Sequence, residues 1–130
     1  MTLKAEEILQ INLVNWFKFT YPDFADDLHH VANERFITPR GGAEFNEGKK
    51  LKKMGVTAGF YDIFLAVPAG IYHGLLQEIK VVGGRISPEQ KAFGEQKNKR
   101  GYLAVVTFGE QQSKDALMLY MNLMKQKPSS

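Results

Sequence analysis

Cysteine is absent from the 130-residue chain, which excludes disulfides and thiolate metal sites. Any bound metal must take oxygen or imidazole ligands, a preference that favours hard cations such as Mg²⁺ or Mn²⁺ over structural zinc. No run of about 18 apolar residues occurs, so no segment reads as a membrane span. The opening residues carry Glu6 and Glu7 and lack the apolar core of a signal peptide, and the expectation is a cytoplasmic protein. Nucleotide-binding loops are missing too: Gly83-Gly84 is not followed by Gly-Lys-Ser/Thr, and there is no G-x-G-x-x-G. His29, His30 and His73 stand at neither H-x-x-x-H nor H-E-x-x-H spacing, and ordinary strand or loop histidines explain them better than metal ligation. Internal repeats are absent as well.

What is present is the composition of a globular protein, 44% hydrophobic and 24% charged. The length suits one core and one domain spanning residues 1–130, with residues 126–130 as a frayed tail. The net charge of +3 is unevenly spread. Residues 1–34 hold two bases against six acids, residues 35–100 twelve against six, and residues 101–130 three against two. A basic middle fits a polyanionic partner, and it also fits a solvated surface with clustered charge.

Residues 3–19 read as an amphipathic helix, with Leu9, Leu13, Trp16 and Phe17 at helical spacing, Thr2 as N-cap and Pro22 beyond the end. Residues 29–37 look extended and stop at Thr38-Pro39-Arg40-Gly41-Gly42, and residues 40–55 form a glycine- and lysine-rich loop. Strands are expected over residues 59–67 and 72–82, joined by the turn Pro68-Ala69-Gly70-Ile71. Ser87 at N-cap, Pro88 at N1 and Gln90 at N3 make a capping box that opens a helix running to about Arg100 and stopped by Gly101. Residues 102–107 form a short strand, and residues 112–125 a final amphipathic helix. Met118, Met121 and Met124 lie at helical spacing on it, as core or dimer packing would place them. The order is helix, three strands, helix, strand, helix.

The central hairpin carries the chemistry. Centred on residue 70, it sets Asp62 directly opposite Glu78, with Cβ atoms about 4.5–5.5 Å apart on one sheet face. Two carboxylates that close repel unless a cation or a proton lies between them. Period-2 alternation puts Lys80 on the face of Glu78 and turns Ile79 away. A divalent cation bound there polarises a phosphoryl oxygen and acidifies bound water. The Lys80 ammonium can position the attacking water and offset transition-state charge. On spacing alone, a Glu–Lys pair on an exposed strand face, with Asp62 as a turn residue, is as good an explanation.

The wider pattern goes further. Gly55-Val56-Thr57-Ala58-Gly59-Phe60-Tyr61-Asp62, His73-Gly74-Leu75-Leu76-Gln77-Glu78-Ile79-Lys80, Gly84-Arg85-Ile86-Ser87-Pro88-Glu89-Gln90 and Gly101-Tyr102 occur in this order. Together they resemble the VRR-NUC family of the PD-(D/E)XK nuclease superfamily, whose small stand-alone members are common in phages and bacteria. The likeness covers about residues 6–121. It implies an α/β restriction-endonuclease-like core, a mixed central sheet flanked by helices in the order αβββαβα. It implies Asp62, Glu78 and the backbone carbonyl of Ile79 as ligands of Mg²⁺ or Mn²⁺, Lys80 as the catalytic lysine and Gln90 as the supporting helix glutamine. A first-helix glutamate joins through the metal shell; Glu7 or Glu6 could match, with Glu7 preferred for the face it shares with Ile11 and Val14. Asn33-Glu34 matches the family's Asn-Glu. One departure stands out: the usual proline before the aspartate is Tyr61 here.

Lys49, Lys50, Lys52 and Lys53, just before the approach to Asp62, are expected to contact DNA phosphates, with Arg85. Arg85 also belongs, with Lys91, Lys97, Lys99 and Arg100, to a weaker basic group on or beside a helix that a solvated helix face explains equally well. The expectation is therefore a metal-dependent endonuclease acting on branched DNA such as four-way junctions, working as a homodimer. The alternatives are a DNA-binding module of the same fold that does not cut, or an RNA nuclease. Branching and dimerisation come from the resemblance, the latter helped by apolar residues in the last helix.

Overall fold

The computed structural model describes residues 4–31, 53–55, 57 and 59–125. Helix α1 spans Ala5–Thr20 and buries Gln10, Leu13 and Phe17. Its N-cap is Lys4 and not Thr2, which lies outside the described residues: Lys4 has extended backbone, and its N–H donates to Glu7 Oε2 at 3.4 Å. The helix closes where the Tyr21 N–H reaches the Phe17 carbonyl at 2.8 Å. Pro22 cannot continue that ladder, and a 3-10 turn over Pro22–Asp27, unforeseen in the sequence, leads into the first strand.

Strands β1 (Leu28–His30), β2 (Ile63–Leu65), β3 (Leu75–Lys80) and β4 (Leu103–Phe108) form one sheet in that order. Pairing is antiparallel from β1 to β2 and from β2 to β3, and parallel from β3 to β4. Helix α2 (Pro88–Lys99) makes the crossover that parallel neighbours require, and helix α3 (Glu110–Leu123) ends the fold. The result is the expected mixed α/β architecture. The extended segment expected over residues 29–37 is seen only in its first part, and the rest lies outside the described residues, as does most of the 40–55 loop.

Strand β3 is buried at all six positions because helices cover both of its faces. Leu75 and Ile79 pack with Leu13 and Phe17 of α1, Ile63 and Leu65 of β2, and Leu117 and Tyr120 of α3. A fully buried aliphatic or aromatic side chain of this kind contributes about 1.5–3 kcal/mol. On the other face Leu76 packs with Tyr61 and with Phe93 of α2. The interior also holds a polar group on this strand, paired with other buried polar side chains. Gln77 donates to Thr107 Oγ1 at 2.9 Å and to the Ser113 carbonyl at 3.1 Å, tying the first turn of α3 to the sheet. Tyr120 gives its hydroxyl to the Val67 carbonyl at 2.6 Å, and burial pushes its phenol up to about 12.

The hairpin register is the one expected. Ile63 faces Gln77, Phe64 faces Leu76 and Leu65 faces Leu75. Both strands are shorter than residues 59–67 and 72–82. Residues 59–61 pack on α2 and leave the ladder unextended, while the Ala66 N–H turns to the Asp27 carbonyl at 2.9 Å. The turn is tight, bridged between Ala69 and Tyr72, with Gly70 in the left-handed region at φ 57°.

Strand β4 lies at the sheet edge, yet side chains close part of that edge. The Ala104 N–H donates to Asn98 Oδ1 at 2.8 Å, and its carbonyl accepts from Asn98 Nδ2 at 3.4 Å. The Phe108 N–H donates to Gln112 Oε1 at 2.7 Å.

Candidate active site

Asp62 immediately precedes β2 and occupies the next position of the hairpin register, opposite Glu78. Its backbone and side chain are clamped separately. The Asp62 carbonyl accepts from the Val31 N–H at 2.8 Å, and its Oδ2 accepts from the Ile79 N–H at 3.0 Å. The second bond follows from strand parity. The carbonyls of Gly74 and Lys80 accept from the Leu103 and Gly109 N–H groups, so the even-numbered residues of β3 turn their backbone towards β4. Ile79 therefore turns its N–H and its carbonyl to the side where Asp62 stands.

Glu78 and Lys80 share the face of β3 that α2 covers. Glu78 is 0% exposed and Lys80 only 8%, a depth at which a lone charge costs several kcal/mol. Two of the compensating contacts fall on one oxygen: Glu78 Oε2 lies 3.3 Å from Lys80 Nζ and accepts from Gln90 Nε2 at 2.9 Å.

Gln90 couples this carboxylate to the start of α2. Its Oε1 accepts from the Ser87 N–H at 3.0 Å, and its own N–H donates to Ser87 Oγ at 3.1 Å. The capping box read from the sequence is therefore also a wall of the site. A glutamine serves both ends because a carboxamide accepts at one atom and donates at the other. A glutamate in its place would set a second carboxylate against Glu78.

No metal cage of three or more His, Asp or Glu side chains gathers among the described residues. The donor set is two buried carboxylates with the Ile79 carbonyl directed to the same side. These are hard oxygen donors, of the kind Mg²⁺ and Mn²⁺ take while keeping several waters.

A solved structure described as a VRR_NUC domain protein matches this chain with a TM-score of 0.77 and 30% sequence identity, over 95% of this chain and 93% of that one. The chain belongs to the VRR-NUC family. No family model matches it, and no curated protein does. A nuclease-type function is the coarse activity that this membership supports. Among the described residues, no helix is long and apolar enough to cross a membrane.

Elsewhere in this VRR-NUC chain, the sequence candidates fall unevenly. The buried stripe of α1 runs through Phe17, Leu13 and Gln10, and the 3.6-residue period extends it back to Glu6. Glu7 stands about a quarter turn away and is engaged by the Lys4 N–H; Ile11, on its face, is 46% exposed. Gln10 pairs with His30 Nδ1, and His30 faces Ile63, the residue after Asp62. The face of α1 turned to the sheet at this end is thus the one that continues to Glu6, and Glu6 and Glu7 are both half-buried.

Lys53 and Arg85 are exposed; Lys49, Lys50, Lys52, Asn33 and Glu34 lie outside the described residues. Lys97 lies 5.3 Å over the Phe93 ring and is half-buried. His73 packs edge-on to Tyr102 at 5.7 Å, and His29 is exposed. Sequence reasoning overlooked the bond from the Ile79 N–H to Asp62, for which strand parity was the available signal. It also overlooked the fit of Tyr61 against Gly94, signalled by a glycine inside a helix.

Proposed function

We propose that this VRR-NUC chain is a divalent-metal-dependent endonuclease that hydrolyses DNA phosphodiester bonds, with branched DNA such as four-way junctions as substrate. The observation that carries the reading is the buried Glu78 carboxylate, held by Lys80 and Gln90, in register with an Asp62 that is itself held by the Ile79 amide. Asp62, Glu78 and the Ile79 carbonyl are the residues that would hold Mg²⁺ or Mn²⁺. When bound, the metal supplies Lewis-acid polarisation of the phosphoryl oxygen and a more acidic water.

The chain's own groups do the rest. Lys80 orients the attacking water and offsets charge developing on the phosphate. Gln90 keeps Glu78 in one rotamer, and the Ile79 N–H does the same for Asp62. Glu6 supports the site from α1 through water. Lys49, Lys50, Lys52, Lys53 and Arg85 contact the DNA backbone, contributions that weaken as salt rises. Two copies acting together suit matched cuts in a junction.

The test is incubation with flap, splayed, four-way and duplex DNA and with RNA, in Mg²⁺ or Mn²⁺ and with chelator, alongside light scattering at micromolar concentration. Cleavage of branched DNA that chelator stops, by a dimer, is the expected result. Tight DNA binding without any cleavage identifies the non-cutting module instead, and cleavage confined to RNA identifies an RNA nuclease. A monomer at that concentration overturns the dimer. In the same assay Glu6→Gln is expected to slow cutting by roughly tenfold or more and Glu7→Gln by much less; the reverse order overturns the assignment of Glu6.

A further inference from the structure

Helix α2 carries Gln90 but has little apolar surface with which to seat itself. Phe93 is its one large buried apolar side chain, beside Gln90 and Gly94. The segment leading into Asp62 supplies the missing contacts, and every residue of it touches α2. Gly59, at φ 80°, lies so close to the helix start that a Cβ there would stand 2.7 Å from the Glu89 carbonyl carbon. The Phe60 and Tyr61 rings pack on Phe93 with centroids at 4.6 and 4.9 Å. Tyr61, only 2% exposed, sets its hydroxyl on Gly94, where a Cβ would come within 2.2 Å of the oxygen. Glycine inside a helix is disfavoured relative to alanine, so its presence calls for a packing reason, and the Tyr61 hydroxyl is that reason.

We propose that residues 59–61 are a spacer that fixes the distance between Asp62 and α2, with the Tyr61 hydroxyl on Gly94 as its hard stop, and that Tyr61 is thereby a positioning residue for Gln90 and Glu78. The proposal rests on the reading of Glu78 and Gln90 as parts of the active site. Gln90 lies one helical turn before Gly94, on the same side of α2, so a shift that opens the Tyr61–Gly94 contact also draws the Gln90 amide away from Glu78. Burial, then the charges of Glu78 and Glu95, push the Tyr61 phenol up, consistent with a hydroxyl enclosed beside Glu78.

A double-mutant cycle tests this. Without the hydroxyl, the nearest ring atom to a Cβ at position 94 is Tyr61 Cζ at 3.2 Å, a contact that a shift of a few tenths of an ångström relieves. Gly94→Ala is expected to lower kcat about tenfold or more in the native background and less than about threefold in the Tyr61→Phe background, with KM for DNA little changed. The Gln90 side-chain amide resonance, followed by ¹⁵N NMR, should move towards its solvated position in Gly94→Ala and return in the double variant. An equal effect of Gly94→Ala in both backgrounds, or an unmoved Gln90 resonance, overturns the spacer. If Gly94→Ala alone does not fold, a native melting temperature in the double variant supports the proposal, and an unfolded double variant overturns it. Should the native protein cut no substrate, the nuclease reading fails while the Gln90 resonance still decides the spacer.

Discussion

Lys80→Ala is expected to slow DNA cleavage by about a hundred- to a thousand-fold, the usual loss when one preorganised charge-stabilising donor is removed from a site. The geometry makes the effect one of turnover and not of DNA affinity. Lys80 is 8% exposed, so it cannot serve as a surface clamp on the phosphate backbone, and its ammonium already lies 3.3 Å from Glu78. Band-shift affinity for the preferred DNA, measured with chelator present, should hold within a few-fold while single-turnover rates collapse. The variant also leaves Glu78 buried without its cation, a loss of about 3–5 kcal/mol for a buried pair, so its melting temperature should drop. Lys80→Met, which keeps the stem that packs near Gly84, separates lost charge from lost packing. Unchanged cleavage in either variant would remove Lys80 from the site.

Glu78→Gln is expected to abolish cleavage and to weaken Mn²⁺ binding, while leaving the fold close to native. Two partners of Glu78 meet the same atom: Oε2 takes the Gln90 amide and the Lys80 ammonium. A carboxamide with its oxygen in that place still accepts from Gln90 and from Lys80, while the negative charge is lost. Manganese titration read by electron paramagnetic resonance therefore separates the two losses, since it needs no DNA and no turnover. If Mn²⁺ binds equally to the native protein and to Glu78→Gln, the carboxylate is structural and the proposed metal site is wrong.

The parts of this arrangement legible in the sequence were those fixed by period and by turn chemistry. Gly70 centres a hairpin whose register follows from counting, so Asp62 falls opposite Glu78. Ser87-Pro88-Glu89-Gln90 announced a helix start because each residue there has its own backbone reason. The family was legible from the ordered motifs, and the whole-chain structural match agrees. Strand ends were not legible. Residues 59–67 are apolar throughout apart from Asp62 and Gly59, and an apolar run has the same pattern whether its side chains line a sheet or, like Phe60 and Tyr61, turn onto a helix. Glutamine is a residue type mostly found exposed, yet Gln77 is 0% exposed, because its partners Thr107 and Ser113 arrive from distant parts of the chain. Glu6 and Glu7 are adjacent in sequence, and only the side of α1 that faces the sheet distinguishes them.

Strand β4 has a further consequence, for behaviour in concentrated solution. Leu-Ala-Val-Val-Thr-Phe carries no charge and no proline, the type of segment that recruits foreign strands and seeds cross-β aggregates when its edge is open. Here the Asn98 carboxamide donates to and accepts from Ala104 as the backbone of a neighbouring strand would, and Gln112 takes the N–H of Phe108. The sheet is finished by amide groups borrowed from two helices. Part of the protection of that edge thus rests on a pair of neutral side chains that composition alone would rank among the least consequential.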